Sequence, residues 1–394
     1  MSREPRLAHM PEAALPEGVE GSCHPRFAAV AQLLGAQLAT GAHHGAAVAV
    51  RHRGEPVVDL WGGVFVEDTL VVSFSTTKGP VAVALHLAME RNGVGYDTPV
   101  AEVWPEFASC GKGSVTIRQC LCHEAGVPQI RDQVDDVWAM ADWDAMVAMT
   151  AGLAPLWEPG TANGYHAVNW GWLTGELVRR IDGRAIEVFL AEEVAGPLGL
   201  DGCFLGVPAD QRHRVAPVAL DPAYSGIPRL EDVLPPDSIT VRALTPRGDI
   251  VEFVNSPTGL AACVPAITGA FTARSLAVIY AALERGGRLA GSPRLLEPET
   301  VAKATTVQNT RPDLVLLVPV HWRLGFMSGG LPTFSPAGPN AGAYGHAGFG
   351  GSLAMADPET ELAVAVTLDR LQLDLLGDNR SRSIVAAAVA AVTG

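Results

Sequence analysis

Ser75-Thr76-Thr77-Lys78 is the stretch on which the reading of this chain turns. On a helix, positions i and i+3 share a face, so the Ser75 hydroxyl and the Lys78 amine can meet. Lysine is scarce here: three copies (Lys78, Lys112, Lys303) stand against 25 arginines. An arginine keeps its proton in a protein, whereas a desolvated lysine can become a neutral amine and serve as a base. A helix N-terminus also favours developing negative charge. The plain structural reading is that Ser75 caps a helix and Lys78 points to solvent. Pro80 falls inside the same helix and predicts a distorted first turn.

Outward from this stretch, residues 76–92, 140–152, 165–182 and 185–195 read as helices with Gly and Pro punctuation between them. Residues 25–40 repeat apolar positions at helical spacing and lead into two strands over residues 46–63, joined at Arg53-Gly54-Glu55. Near the other end, residues 352–368 form a second strand pair about Asp357-Pro358-Glu359-Thr360, and a helix over residues 381–394 closes the chain. Strands at both ends predict one sheet assembled from the N- and C-terminal parts, residues 20–75 plus 266–394. Residues 76–265 then form a mainly helical insertion. Within it, residues 206–262 lack sustained periodicity, read as a lid or pocket wall, and carry Tyr224.

The chain has 394 residues, 48% hydrophobic and 6% aromatic. That is enough for a sizeable core in one composite domain or two that share a cleft. Its net charge of -14, with acidic residues scattered, argues against nucleic acid or an anionic membrane as a partner. The stretch from Met1 to Gly18 lacks the apolar core of an export signal, and no apolar run approaches a membrane span, so a cytoplasmic protein is expected. Six cysteines are too sparse for a disulfide framework. Cys120-Leu121-Cys122-His123 lacks a second ligand pair, so no metal and no cofactor is expected. Oligomeric state has no signature.

Two more segments carry chemistry. Glu158-Pro159-Gly160-Thr161-Ala162-Asn163-Gly164-Tyr165-His166-Ala167 places Tyr165 after a Pro-Gly turn, at the expected start of a helix. Tyr344-Gly345-His346-Ala347-Gly348-Phe349-Gly350-Gly351-Ser352 is glycine-dense but enters a strand, which disfavours a phosphate loop. No Gly-x-Ser-x-Gly elbow occurs; Gly325 and Ser328 are wrongly spaced, and Ser328 reads as a loop residue. His123 follows a helix and can approach the cleft, but its plainer reading is a helix cap or a core residue.

With these three motifs in order, the chain resembles the serine β-lactamase and penicillin-binding superfamily, and most closely its class C-like esterase branch, the family VIII-like carboxylesterases. The resemblance spans about residues 25–390. It implies an α/β (α+β) fold with an antiparallel sheet flanked by helices and the site between sheet and helical insertion. It implies Ser75 as nucleophile, Lys78 as its activating partner and Tyr165 as the catalytic tyrosine, with the formal base left open between Lys78 and Tyr165. The backbone N–H groups of Ser75 and Phe349 would form the oxyanion hole.

Ala167 stands where the β-lactamases have the Asn of Tyr-x-Asn, and His346-Ala347-Gly348 replaces Lys-Thr-Gly. Loss of a permanent cation should weaken recognition of a substrate carboxylate. The expectation is therefore a serine carboxylesterase acting on short or medium acyl esters, with a small-molecule substrate bound near His346, Gly348, Tyr224, Trp322 and Phe326. Alternatives are a transacylase, a β-lactamase or D-amino-acid peptidase, and an inactive binding protein on the same scaffold.

Overall fold

The computed structural model describes residues 12–224, 226–331, 335, 337–373 and 378–394; the first eleven residues, read above for an export signal, lie outside it. Seven strands form the main sheet: β1 (Val19–Cys23), β2 (Gly45–His52), β3 (Glu55–Gly63), β4 (Met327–Ser328), β5 (Tyr344–Ala347), β6 (Leu353–Asp357) and β7 (Leu362–Leu368). Their order is β1-β3-β2-β7-β6-β5-β4, and every neighbouring pair is antiparallel. The two terminal parts of the chain meet where β2 pairs with β7. There are five longer helices: α1 (Ala28–Ala39), α4 (Ala273–Glu284) and α5 (Asn379–Thr393) pack on the sheet, and α3 (Trp170–Asp182) packs on α2 (Lys78–Asn92).

Side-chain alternation explains how the sheet is covered on both faces. Val48 and Val50 of β2, Val364 and Val366 of β7, and Leu353 and Met355 of β6 face one core with Val30 and Leu34 of α1 and Ile384 and Val385 of α5. The alternate positions are small: Ala49, Ala354, Ala356, Ala363 and Ala365 face the other core, where α4 packs against β2, β6 and β7. Period-2 alternation of large and small residues thus lets α4 approach closely while every strand reads as apolar throughout.

Helix α2 is buried on all sides from Lys78 to Met89. A 3-10 turn, Phe74–Thr77, precedes it, which is the distortion that Pro80 predicts. Pro80 is the third residue of α2, where a backbone N–H has no partner within the helix in any case, so the ring is accommodated. Gly93 ends the helix in the left-handed conformation, at φ 66°, a common helix stop.

Three expectations need correction. Helix α3 begins at Trp170, so Tyr165 sits in irregular backbone before it rather than at its start. Ser328 lies in β4, with its hydroxyl taking a hydrogen bond from Arg323 Nε at 2.9 Å, rather than in a loop. Residues 206–262 hold short helices, among them Ile239–Leu244, Ile250–Asn255 and Pro257–Ala261, capped by Ser238, Asp249 and Ser256. Helices this short cannot show a period, which is why the sequence reads as irregular. Among the described residues no helix is long and apolar enough to cross a membrane.

Candidate active site

Strand residues Leu70–Val72 lead into a tight turn that presents Ser75. Phe74, directly before it, is held at φ 46°. This left-handed conformation costs a non-glycine residue roughly 1 kcal/mol or more. The surroundings fix the turn: Ser73 N–H donates to Gly269 O at 2.9 Å, and Thr76 Oγ1 donates to Ser352 O at 3.1 Å. The turn is thus tied to the segments on either side of the cleft.

Ser75 Oγ lies 3.1 Å from Lys78 Nζ and 2.7 Å from Tyr165 Oη. Lys78 also donates to Ala167 O at 2.7 Å, and its Nζ stands 4.9 Å from the centre of the Tyr165 ring. No solvent reaches Lys78, and burial holds its ammonium well below the ordinary lysine value. Burial pushes the Tyr165 phenol the other way, upward, opposed by the Ser75 hydrogen bond and aided by the Asp313 charge. An amine whose proton burial loosens and a phenol whose proton burial tightens therefore flank one hydroxyl.

The third segment closes the other side. His346 and Gly348 lie at the end of β5, and Phe349 in the turn beyond it. His346 Nδ1 is 2.7 Å from Ala347 O, its Nε2 is buried without a partner, and burial followed by the Lys78 charge lowers its pKa to about 3. The ring is therefore neutral. The Phe349 ring packs edge-on against Phe74 at 5.4 Å, which brings this turn against the nucleophile's turn. Among the described residues the N–H groups of Ser75 and Phe349 have no hydrogen-bond acceptor. Both stay available to a ligand oxygen.

Trp322, fully buried, stacks on the Tyr165 ring at 5.4 Å and 15°. Phe326 does not: it is fully buried among His86, Tyr280 and Tyr344, on the core side of α2, directly before β4. Tyr224 ends a 3-10 turn over Pro222–Tyr224, and it has no ring contact with the Ser75 cluster among the described residues. Cys120 and Cys122 are buried free thiols, and no group of three or more potential metal ligands occurs among the described residues.

Two further residues hold Tyr165, and only His123 is singled out by the sequence. His123, at φ 64° and fully buried, packs at 5.1 Å from the Tyr165 ring and accepts the His166 N–H at 3.1 Å through Nδ1. Asp313 accepts the Tyr165 N–H at 3.0 Å. Its position after a short helix, before Glu124-Ala125-Gly126, is the sequence signal for His123. For Asp313 there was none, since it lies 148 residues from Tyr165 and just before an apolar run.

Comparison with known proteins gives the family. Residues 30–388 match the Beta-lactamase family model. The chain is 34% identical over 372 residues to esterase/beta-lactamase LipL of Mycobacterium tuberculosis (strain ATCC 25618 / H37Rv), covering 90% of this chain and 83% of that protein. The crystal structure of a family VIII carboxylesterase superposes with a TM-score of 0.86 at 34% identity, covering 95% of this chain and 99% of that one. A penicillin-binding protein homolog from Caulobacter crescentus gives a TM-score of 0.83 at 36% identity, with the same coverage of each chain. EstA from Arthrobacter nitroguajacolicus Rue61a gives a TM-score of 0.84 at 28% identity, covering 98% of this chain and 99% of that one. With family motifs, fold and relatives in agreement, the chain belongs to the beta-lactamase family, as a serine hydrolase of its esterase-like branch.

Proposed function

We propose that the protein hydrolyses carboxylic esters of small molecules, with short or medium acyl groups, through an acyl-enzyme on Ser75. The observation that carries this reading is the double contact of Ser75 Oγ with Lys78 Nζ at 3.1 Å and Tyr165 Oη at 2.7 Å. Neutral Lys78 takes the Ser75 proton as Oγ bonds to the ester carbonyl carbon. The carbonyl oxygen becomes an oxyanion facing the N–H groups of Ser75 and Phe349. As the intermediate collapses, the C–O bond to the alcohol breaks and the leaving alkoxide takes the Tyr165 proton. Tyr165 recovers a proton from the Lys78 ammonium, which restores the amine. Water then replaces the alcohol and the same transfers run in reverse, releasing the acid and returning the proton to Ser75.

The directions in which burial moves the two pKa values support Lys78 as acceptor and Tyr165 as donor. Neutral His346 supports uncharged esters over β-lactams, whose carboxylate would meet no cation there. Six free thiols, with Cys110 exposed, suit a reducing compartment and support a cytoplasmic site of action.

Comparing kcat/KM for a panel of nitrophenyl esters with that for nitrocefin tests the substrate class. Ester turnover at least ten times that of nitrocefin is expected; comparable rates would move the assignment to a β-lactamase. Adding amines or alcohols to the same assay reads acyl transfer, and acyl product rivalling free acid would make the protein a transacylase.

A further inference from the structure

The tyrosine read as moving the proton sits on irregular backbone, yet its position is over-determined. Three successive amides are pinned without any ladder: Gly164 N–H to His123 O at 3.0 Å, Tyr165 N–H to Asp313 Oδ1 at 3.0 Å, and His166 N–H to His123 Nδ1 at 3.1 Å. We infer that Asp313 is the positioning residue for Tyr165, fixing its backbone through Oδ1 and its ring, by way of Trp322, through Oδ2. This inference rests on the reading of Tyr165 as the proton-transferring group.

Asp313 is 1% exposed, and among the described residues no cation pairs with it. A buried carboxylate in that situation must be satisfied by hydrogen bonds. Five converge on it. Oδ1 accepts from Tyr165 N at 3.0 Å and from Val315 N and Leu316 N, both at 2.9 Å. Oδ2 accepts from Trp322 Nε1 at 2.9 Å and from Asn163 Nδ2 at 3.3 Å.

The Val315 and Leu316 bonds close a local turn, which an aspartate does for its own loop wherever it starts one. That role accounts for two donors. The remaining three belong to the tyrosine: its own N–H, the side-chain amide two residues before it, and the indole stacked on its ring at 15°. The loop is bound back as well, since Leu314 N–H donates to Asn163 O at 3.0 Å. Trp322 in turn packs on His123 at 4.1 Å, whose ring touches Tyr165 from another side. A single carboxylate therefore sets the height of the phenol through the main chain and its tilt through the stack. A catalytic hydroxyl loosened by a fraction of an ångström loses rate steeply, because alignment of the transferring atoms supplies much of the effect.

Asp313→Asn keeps the size of the side chain but turns one acceptor into an N–H2 that faces existing N–H donors. Turnover is measured for this variant alone and in the Tyr165→Phe background, using single-turnover alcohol release where rates are low. With Tyr165 present, kcat should fall by about 10- to 100-fold with KM changed by less than about threefold. In the Tyr165→Phe background the same change should alter kcat by less than about twofold, since residues acting through one group are not additive. Equal losses in both backgrounds would overturn the inference and leave the role of Tyr165 standing. If Tyr165→Phe itself leaves kcat untouched, that role fails and the inference falls with it. Trp322→Phe keeps an aromatic ring and removes one donor to Asp313, and it serves if Asp313→Asn does not fold. A loss of several-fold in kcat is expected, absent in the Tyr165→Phe background; a loss that persists there overturns the inference equally.

Discussion

A methyl carbon placed on Gly348 would lie 2.2 Å from the Ser73 carbonyl oxygen and 2.9 Å from Thr76 Oγ1. The end of β5 is therefore pressed against the turn that carries Ser75, and only glycine allows that approach. Gly348→Ala should push the β5 end away from the nucleophile and with it the Phe349 N–H. Loss of one oxyanion donor costs about 10²- to 10³-fold in kcat. A loss of that size is expected, with the melting temperature lowered by only a few degrees. Wild-type kcat in the folded variant would remove the Phe349 N–H from the mechanism.

Lys78 separates two roles that a cation can play beside a serine. If its charge alone mattered, Lys78→Arg would retain function; if it must accept a proton, arginine fails because it stays protonated. Both Lys78→Arg and Lys78→Ala should lower kcat/KM by about 10³-fold or more, in line with loss of a nucleophile's activating base. The pH profile has a definite sign. Since the neutral amine is the active form, kcat/KM rises with pH through the Lys78 ionisation, and burial places that rise well below the ordinary lysine value. A profile that rises only near the ordinary lysine range would contradict a desolvated Lys78.

Buried histidines set the acid limit of stability. Burial lowers His43, His166 and His346 to about 3 and His86 to about 4, from 6.5. Their folded-state values lie below the unfolded one, so the unfolded chain binds more protons as the pH falls under 6.5. The neutral rings contribute stability that is full above that value and lost on acidification toward 3 to 4. Each adds up to about 1.4 kcal/mol per pH unit within the window. Denaturant midpoints measured from pH 7 to pH 5 should decline with a slope that flattens when His86→Gln removes one of the four. An unchanged slope would show that His86 is not held neutral.

What the sequence disclosed follows the range of the interactions. Ser75 and Lys78 lie one turn apart, and the strand pairs about residues 53–55 and 357–360 are local hairpins, so spacing and turn residues were sufficient to place them. Tyr165 stands out through the order of the three motifs rather than its Pro-Gly turn, and its backbone is not the helix start that the sequence predicts. The apolar pattern extends backward past the helix start at Trp170, which has no side-chain cap, and what holds residues 164–166 out of the helix is His123 and Asp313. His123 shows only as a residue after a short helix, and Asp313 does not show at all. Asp313 precedes an apolar run that reads as core, and its five donors come from three separate stretches of chain. Phe326 and Trp322 are four residues apart in similar company, yet Trp322 stacks on the tyrosine while Phe326 packs behind α2. A bend at Leu324-Gly325, with Gly325 at φ 87°, separates the two, so the direction each ring takes is set by tertiary packing that residue type does not encode.

The covalent step is the centre of the account, and mass spectrometry reads it directly. The protein is mixed with a nitrophenyl ester, quenched in acid within a turnover, and its peptides mapped. One acyl group is expected on Ser75 in the wild type and in Tyr165→Phe, where slow deacylation lets it accumulate, and none in Ser75→Ala. An acyl group on any other residue, or ester hydrolysis undiminished in Ser75→Ala, would contradict the Ser75 acyl-enzyme.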